Sequence, residues 1–361
     1  MIKVVKCAGG VRLIEVKSFG ITRNGDETQL YTYTDNSGVK FSVTNYGASL
    51  VSLIVPDRTG KLLDVVLGYD GVEGYERQFQ CVGSVIGRCA NRIERGRFNI
   101  DGEKYKVTKN FGPHHIHGGY KGFHRNIWTF KELDNGMEFS YISQDGEEGY
   151  PGMLNISIKY IIENGNTLVL EYDGISDKDT ICNITSHAYF NLNGYNSGNV
   201  YSHFMQINSD EYAEANKYAF PNGKLVAVAG TPMDFRTPKM IGTDIDSSFK
   251  QIKWNNGYDT NYAIKEYDGS DIPQFCACTY SENSGIKMTT MTTMPGVQFY
   301  TGNCLTGAYV GKNGHIMKNH DGFCLETQYY PNAMAHDNFI KPILRAGERY
   351  HHITRYEFST I

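Results

Sequence analysis

The sequence predicts an all-β protein, a single large antiparallel β-sandwich with few short helices, in which residues 1–361 form one domain. Three observations carry this reading. Apolar residues almost never recur at helical spacing, so no stretch offers a stripe for a helix to bury. Short β-rich runs recur instead, broken at close intervals by Gly, Asn, Asp and Pro. The 26 tyrosines and 18 phenylalanines suit broad pleated faces, which large rings cover well. So many strands without helices must pack sheet on sheet or close into a barrel, since an open edge invites aggregation.

Along the chain, strands are expected over 41–46 and 50–55, a brief helix over 72–78, and strands over 105–108 and 138–142. The clearest hairpin spans 154–172. There Ile156, Ile158, Tyr160 and Ile162 alternate with Ser157 and Lys159, and Asn164-Gly165 turns the chain into Leu168-Val169-Leu170. Further strands are expected over 201–207, 262–264, 275–280, 288–293 and 297–301. No repeat, low-complexity tract or linker divides the chain. The concave face of the sandwich, or its end loops, is where a site is expected.

An apolar content of 40% and a charged content of 20% fit a soluble globular protein. With 35 basic and 39 acidic residues the net charge is −4, and no long run of like charge occurs. Nucleic acid and anionic membrane are thereby disfavoured as partners, since both need a basic face. The eight cysteines, at 7, 81, 89, 182, 276, 278, 304 and 324, include no C-x-x-C pair and read as free thiols in a reducing compartment. A disulfide involving Cys182 stays open. Lys6 and Arg12 interrupt the one apolar stretch near the start, and no span approaches the ~20 apolar residues of a membrane helix. The cytoplasm is the expected location.

Glycine-rich nucleotide loops, G-x-S-x-G and H-E-x-x-H are all absent, so no cofactor is expected. The run Gly87-Arg88-Cys89-Ala90-Asn91-Arg92-Ile93, with His117-Gly118-Gly119 downstream, sets an amide, a guanidinium and an imidazole among glycines. Such groups hydrogen-bond hydroxyls, and a sugar is mostly hydroxyls. His114, His115 and His117 also suggest a metal cluster, because alternate residues of a strand share a face. No Asp, Glu or Cys completes that set at recognisable spacing, and a polar turn is the bland alternative. His187 sits in the apolar, aromatic stretch 181–192, where a structural histidine and a catalytic one are equally good readings. Glu326 follows the apolar run Phe323-Cys324-Leu325 and would be costly to bury unless paired. Asp259 and Gln298 stand in turn-rich surroundings that ordinary turn chemistry also explains.

Further pieces are Asn45-Tyr46-Gly47-Ala48, Val55-Pro56-Asp57, Asp64-Val65-Val66-Leu67-Gly68-Tyr69, Gly122-Phe123, Trp128 and Thr231-Pro232-Met233-Asp234-Phe235-Arg236. Together, in this order and spacing, the segments resemble the aldose 1-epimerase (galactose mutarotase) family from about Phe41 to Glu348. The resemblance implies a β-sandwich with an open sugar cleft and a free aldohexose as the small-molecule partner, in a monomer or homodimer. It implies Glu326 as general base and His187 as general acid, with Asn91, Arg92, His117, Tyr189, Asp259 and Gln298 gripping the sugar. The chain departs from the family pattern at Thr260, where histidine is frequent, at Ser186 and Ala188 around His187, and at Tyr329-Tyr330. Those departures bear on sugar preference and rate.

Anomer interconversion suits these side chains. A carboxylate takes the proton of the C1 hydroxyl, an imidazolium protonates the ring oxygen, the C1–C2 bond rotates, and the ring recloses. This expectation has Glu326 ionised and His187 charged in the productive state, helped by Asp259, with a bell-shaped pH dependence of turnover. It also has the two residues reaching one pyranose-sized hollow from opposite sides. Competing readings are a hexose-6-phosphate epimerase, a non-catalytic carbohydrate-binding sandwich and a glycoside hydrolase or lyase. The first needs cations to hold phosphate; Arg88, Arg92, Arg95, Arg97 and Arg125 are available, yet the sequence shows no dedicated basic patch.

Overall fold

Alternation builds the sheets, and the hairpin shows how. Its strands, Leu154–Glu163 and Thr167–Ser176, pair antiparallel with Glu163 opposite Thr167. Asn164 and Gly165 take φ of 53° and 70°, a left-handed conformation that Asn and Gly adopt at low cost. Ile156, Ile158 and Tyr160 turn inward and are buried, whereas Ser157 and Lys159 are only partly covered.

The structure, a computed structural model, describes the backbone of residues 2–7, 10–36 and 38–361, and the side chains of 13–36 and 38–361. Three antiparallel sheets dominate. The first is a six-stranded meander from Ile2–Cys7 to Leu62–Asp64. The second has nine strands; the hairpin lies between Gly136–Ser143 and Arg349–Thr360, and Ile286–Thr292, Gln274–Ser281 and His203–Ile207 follow. The third runs Pro221–Ala227, Glu211–Ala215, Asp259–Ala263, Gly296–Tyr300 and Cys324–Gln328.

One apolar cluster spans from Ile14 to Phe358 and draws on all three sheets, through residues such as Phe41, Tyr160, Met288 and Phe299. Phe41 from the first sheet stacks on Tyr160 from the second, with ring centroids 6.2 Å apart. This is sheet-on-sheet packing, and each large side chain buried there contributes about 1.5–3 kcal/mol.

The expected strands appear with ends shifted by at most four residues, and the expected helix forms over Val72–Arg77. A second helix, Lys250–Asn255, carries no apolar stripe long enough to read. The strand Arg349–Thr360 escapes notice because its inward positions alternate with Arg and His rather than with small polar residues. No described helix is long and apolar enough to cross a membrane. Cys81, Cys89, Cys182, Cys276, Cys278, Cys304 and Cys324 are free thiols, so Cys182 forms no disulfide among the described residues. The side chains of Cys7, Lys6 and Arg12 lie outside the described residues.

Candidate active site

The third sheet presents a polar face that its register explains. Asn261 pairs with Gln298, and Gln298 with Glu326, while Asp259 pairs with Tyr300 and Tyr300 with Cys324. Cross-strand partners share a face, and so do residues two apart. Asp259, Gln298, Tyr300, Cys324 and Glu326 therefore project from one side. Tyr262, Val297, Phe299 and Leu325 project from the other, into the core. Glu326 thus lies in the middle of the strand Cys324–Gln328, not after it. All five residues of that strand are buried, so hydrophobicity alone does not mark its two faces.

Short pairings bring the remaining groups to this face. Thr185–Ser186 pairs with Val85–Ile86, and His187 follows it. The His187 backbone N–H donates to the Ser84 carbonyl, and the Gly83 N–H to the His187 carbonyl, both at 2.9 Å. His115–Ile116 pairs with Arg92–Ile93, which places His117 against Asn91; the His117 N–H donates to the Asn91 carbonyl at 2.9 Å. Gly118 is required there because a Cβ would sit 1.8 Å from the Gly87 carbonyl oxygen. It clears space for backbone, not for sugar.

His187 Nε2 lies 3.6 Å from Glu326 Oε1. The two are neighbours on one wall, not groups facing each other across the hollow as expected. Tyr189 stacks on the His187 ring at 5.0 Å and donates its hydroxyl to the Gln80 carbonyl at 2.9 Å. His117 meets His187 edge to face at 5.4 Å. Arg92 donates to Asn91 Oδ1 at 3.1 Å and to Asp259 Oδ2 at 3.3 Å, and Gln298 Nε2 donates to Asp259 Oδ1 at 2.6 Å. Seven of the eight expected residues line one cavity of about 360 Å³. The eighth, Gln298, stands behind Asp259 and holds its carboxylate.

Arg92 Nε, Gln298 Oε1 and Glu326 Oε2 are buried without a partner among the described residues. Unpaired buried polar atoms are expensive, and a hydroxyl-rich ligand would satisfy them.

Burial sets the charge states. Desolvation pushes the Glu326 carboxyl well up, the Asp259 charge adds to this, and Arg92 opposes it. Desolvation brings His187 down to about 4, against its own backbone carbonyl and Asp259. The pair therefore holds one proton over a wide pH range. In the free protein that proton rests on Glu326, beside a neutral imidazole, because two separated charges cost more in a dry hollow. This is the state of the free protein; the expectation of an ionised Glu326 and a charged His187 concerns the productive state with sugar bound.

The three clustered histidines point to three places. His117 leaves the strand with φ of 50° and faces the cavity. His115 is structural: Nδ1 meets the Thr108 carbonyl at 2.7 Å and Nε2 the Tyr150 hydroxyl at 2.6 Å. His114 faces a separate hollow. The metal reading thus fails for that run. His117, His187 and Glu326 do bring ligand-type atoms within 4.8 Å of one another. Nδ1 of His117 accepts the Asn91 N–H at 3.3 Å, so Nε2 carries the proton of the neutral ring. Neither nitrogen offers a metal a free lone pair, and Nε2–H suits a hydroxyl oxygen instead.

Phe79, Tyr218, Trp254, Tyr300 and Asn303 also line the cavity and were not foreseen. Trp254, one of two tryptophans in the chain, left a signal that went unread.

A family model described as aldose 1-epimerase matches residues 29–357. The chain belongs to the aldose 1-epimerase family. Galactose mutarotase from Bos taurus is 41% identical over 321 residues, covering 89% of this chain and 91% of that one. Aldose 1-epimerase from Escherichia coli (strain K12) is 32% identical over 341 residues, covering 93% and 96%. The crystal structure of the GalM/aldose epimerase homologue from C. elegans matches with a TM-score of 0.83 at 29% identity, covering 91% of this chain and 98% of that one. Both ends of the polar wall, from Asn91 to Glu326, fall inside the region that matches the aldose 1-epimerase family.

Proposed function

We propose that this protein is an aldose 1-epimerase, an isomerase that interconverts the α and β anomers of free hexoses such as galactose and glucose. The observation that carries the mechanism is the 3.6 Å spacing of His187 Nε2 and Glu326 Oε1 in one sugar-sized cavity. The two oxygens that must exchange protons, the C1 hydroxyl and the ring oxygen, are bonded to the same carbon. Side-by-side groups serve them better than groups on opposite walls.

The proton count closes. Ring opening moves one proton from the C1 hydroxyl to a carboxylate Glu326 and one from an imidazolium His187 to the ring oxygen. The pair begins and ends with one proton and changes only which member bears it. The charged arrangement is reached when sugar hydroxyls replace lost solvation and Arg92 and His117 donate to the ligand. Rotation about C1–C2 turns the aldehyde, and the reverse transfers close either face. Each proton-transfer group typically supplies about 10²–10⁴-fold. Asn91, Arg92, His117 and Asp259 hold the hydroxyls in this scheme, Gln298 fixes the Asp259 carboxylate, and Tyr189 braces His187.

The chain acts as one domain in this account, because a single apolar cluster joins residues from Ile14 to Phe358. The seven free thiols among the described residues support a cytoplasmic location, which a disulfide in protein isolated without reductant would contradict. The net charge of −4 supports an assembly without nucleic-acid or membrane partners; a monomer or homodimer is the proposed state, readable by light scattering. Polarimetry of freshly dissolved α-D-glucose and α-D-galactose tests the activity. Equilibration far faster than in buffer is expected, and a rate equal to buffer refutes the proposal.

A further inference from the structure

Beside the sugar cavity, the fold assembles a basic hollow that the sequence does not reveal. Its volume is about 550 Å³, and Tyr218 walls both it and the cavity. Arg95 and Arg97 reach it from the segment after Arg92, and Lys109 and His114 from the segment before His115. The pairing of His115–Ile116 with Arg92–Ile93 draws these separate stretches together.

Among the lining residues Glu94 is the sole acid. No ion pair among the described residues engages Arg95, Arg97 or Lys109, whereas Arg92 is spent on Asp259, and Arg125 on the carbonyls of Glu76 and Gln78. His114 is fixed as a donor. Its ring packs on Phe220 at 4.3 Å, and its Nδ1 accepts the Arg95 N–H at 3.1 Å, leaving the neutral ring's proton on Nε2 with no acceptor among the described residues. Burial and the nearby Arg95, Lys109 and Arg92 hold this imidazole below its usual range, against Glu94.

Two guanidinium forks, an ammonium and an imidazole N–H match an anion with several oxygens spread around one centre. A phosphate monoester has that shape, and planar guanidinium recognises it through paired N–H donors. We propose that this hollow binds the phosphate group of a phosphorylated metabolite next to the sugar cavity. The phosphate comes either on the aldose itself, reaching past Tyr218, or on a separate molecule that alters sugar binding through that shared wall. The binding claim stands apart from the anomerase reading; only the kinetic arms below rest on it.

The test uses calorimetry at low ionic strength with inorganic phosphate, glucose 6-phosphate and ADP as probes. The proteins are the wild type and an Arg95→Gln/Arg97→Gln/Lys109→Gln variant, whose three changes are at exposed positions. At least one probe is expected to bind the wild type, with affinity falling as salt screens the site over a Debye length of about 8 Å at physiological strength. Binding is expected to weaken in the variant by roughly tenfold or more, the scale of losing a charge-assisted hydrogen bond, with glucose turnover in phosphate-free buffer unchanged. If the phosphate belongs to the substrate, kcat/KM for glucose 6-phosphate falls in the variant while that for glucose does not. If it belongs to a separate effector, phosphate or ADP changes KM for glucose in the wild type alone. The proposal is overturned if no probe binds the wild type at millimolar concentration, or if the variant binds as tightly. Calorimetry needs no turnover, so this failure is distinguishable from failure of the anomerase reading.

Discussion

Replacing Glu326 with glutamine separates what this carboxyl does for catalysis from what it costs the fold. Glutamine keeps the shape and resembles the protonated acid that burial favours, but it cannot take a proton from the C1 hydroxyl. Loss of a general base lowers kcat by about 10²–10⁴-fold. The stability effect has the opposite sign. The folded-state pKa of Glu326 is raised by burial, so above the unfolded value near 4.3 the unfolded chain ionises while the folded one retains its proton. Wild-type stability therefore falls with rising pH between the two pKa values, by about 1.4 kcal/mol per pH unit from this group. Glu326→Gln removes that dependence, so the variant is more stable at neutral pH and its advantage grows on moving to higher pH. Urea unfolding at a series of pH values, with anomer exchange by NMR on the same samples, reads both effects. A variant within tenfold of wild-type activity, or a stability difference independent of pH, refutes the reasoning.

Three further outcomes follow. The kcat/KM profile is a broad plateau, not a narrow bell: the pair gains a second proton as pH falls through about 4, where His187 titrates, and loses its one proton only at the raised value of Glu326. Stopped-flow polarimetry across that range checks this. Asp259→Asn removes a charge that raises both Glu326 and His187, so both limbs of the profile move to lower pH. Arg88→Met destabilises the fold by about 3–5 kcal/mol, because several buried carbonyls lose their donor at about 1–3 kcal/mol each. The buried Arg88 guanidinium donates to the carbonyls of Ser143, Gln144, Pro151 and Gly152 and to the Ser143 hydroxyl, and denaturant melts report their loss while activity per folded molecule stays near wild type.

Much of the fold was legible because period-2 alternation survives wherever one sheet face is buried and the other wet, as in Leu154–Glu163. It vanishes in Cys324–Gln328, where both faces are covered, so Glu326 read as a strand end. Asn91, Arg92 and His117 could be named from residue type and order, but the backbone pairing that joins them is invisible in one dimension. The resting charge states were not legible for a physical reason: a sequence shows that an acid and a histidine exist, not how dry their hollow is. The basic hollow stayed hidden likewise, since Arg95 and His114 meet only after the strands pair.

The central claim is that Glu326 and His187 work as one proton-sharing unit, and a double-variant cycle reads this most directly. Anomer exchange is measured for wild type, Glu326→Gln, His187→Asn and the combined protein. Groups that act together lose their function together, so the combined variant is predicted to be no slower than the slower single one. Multiplying losses, each change costing its full factor regardless of the other, would contradict the account.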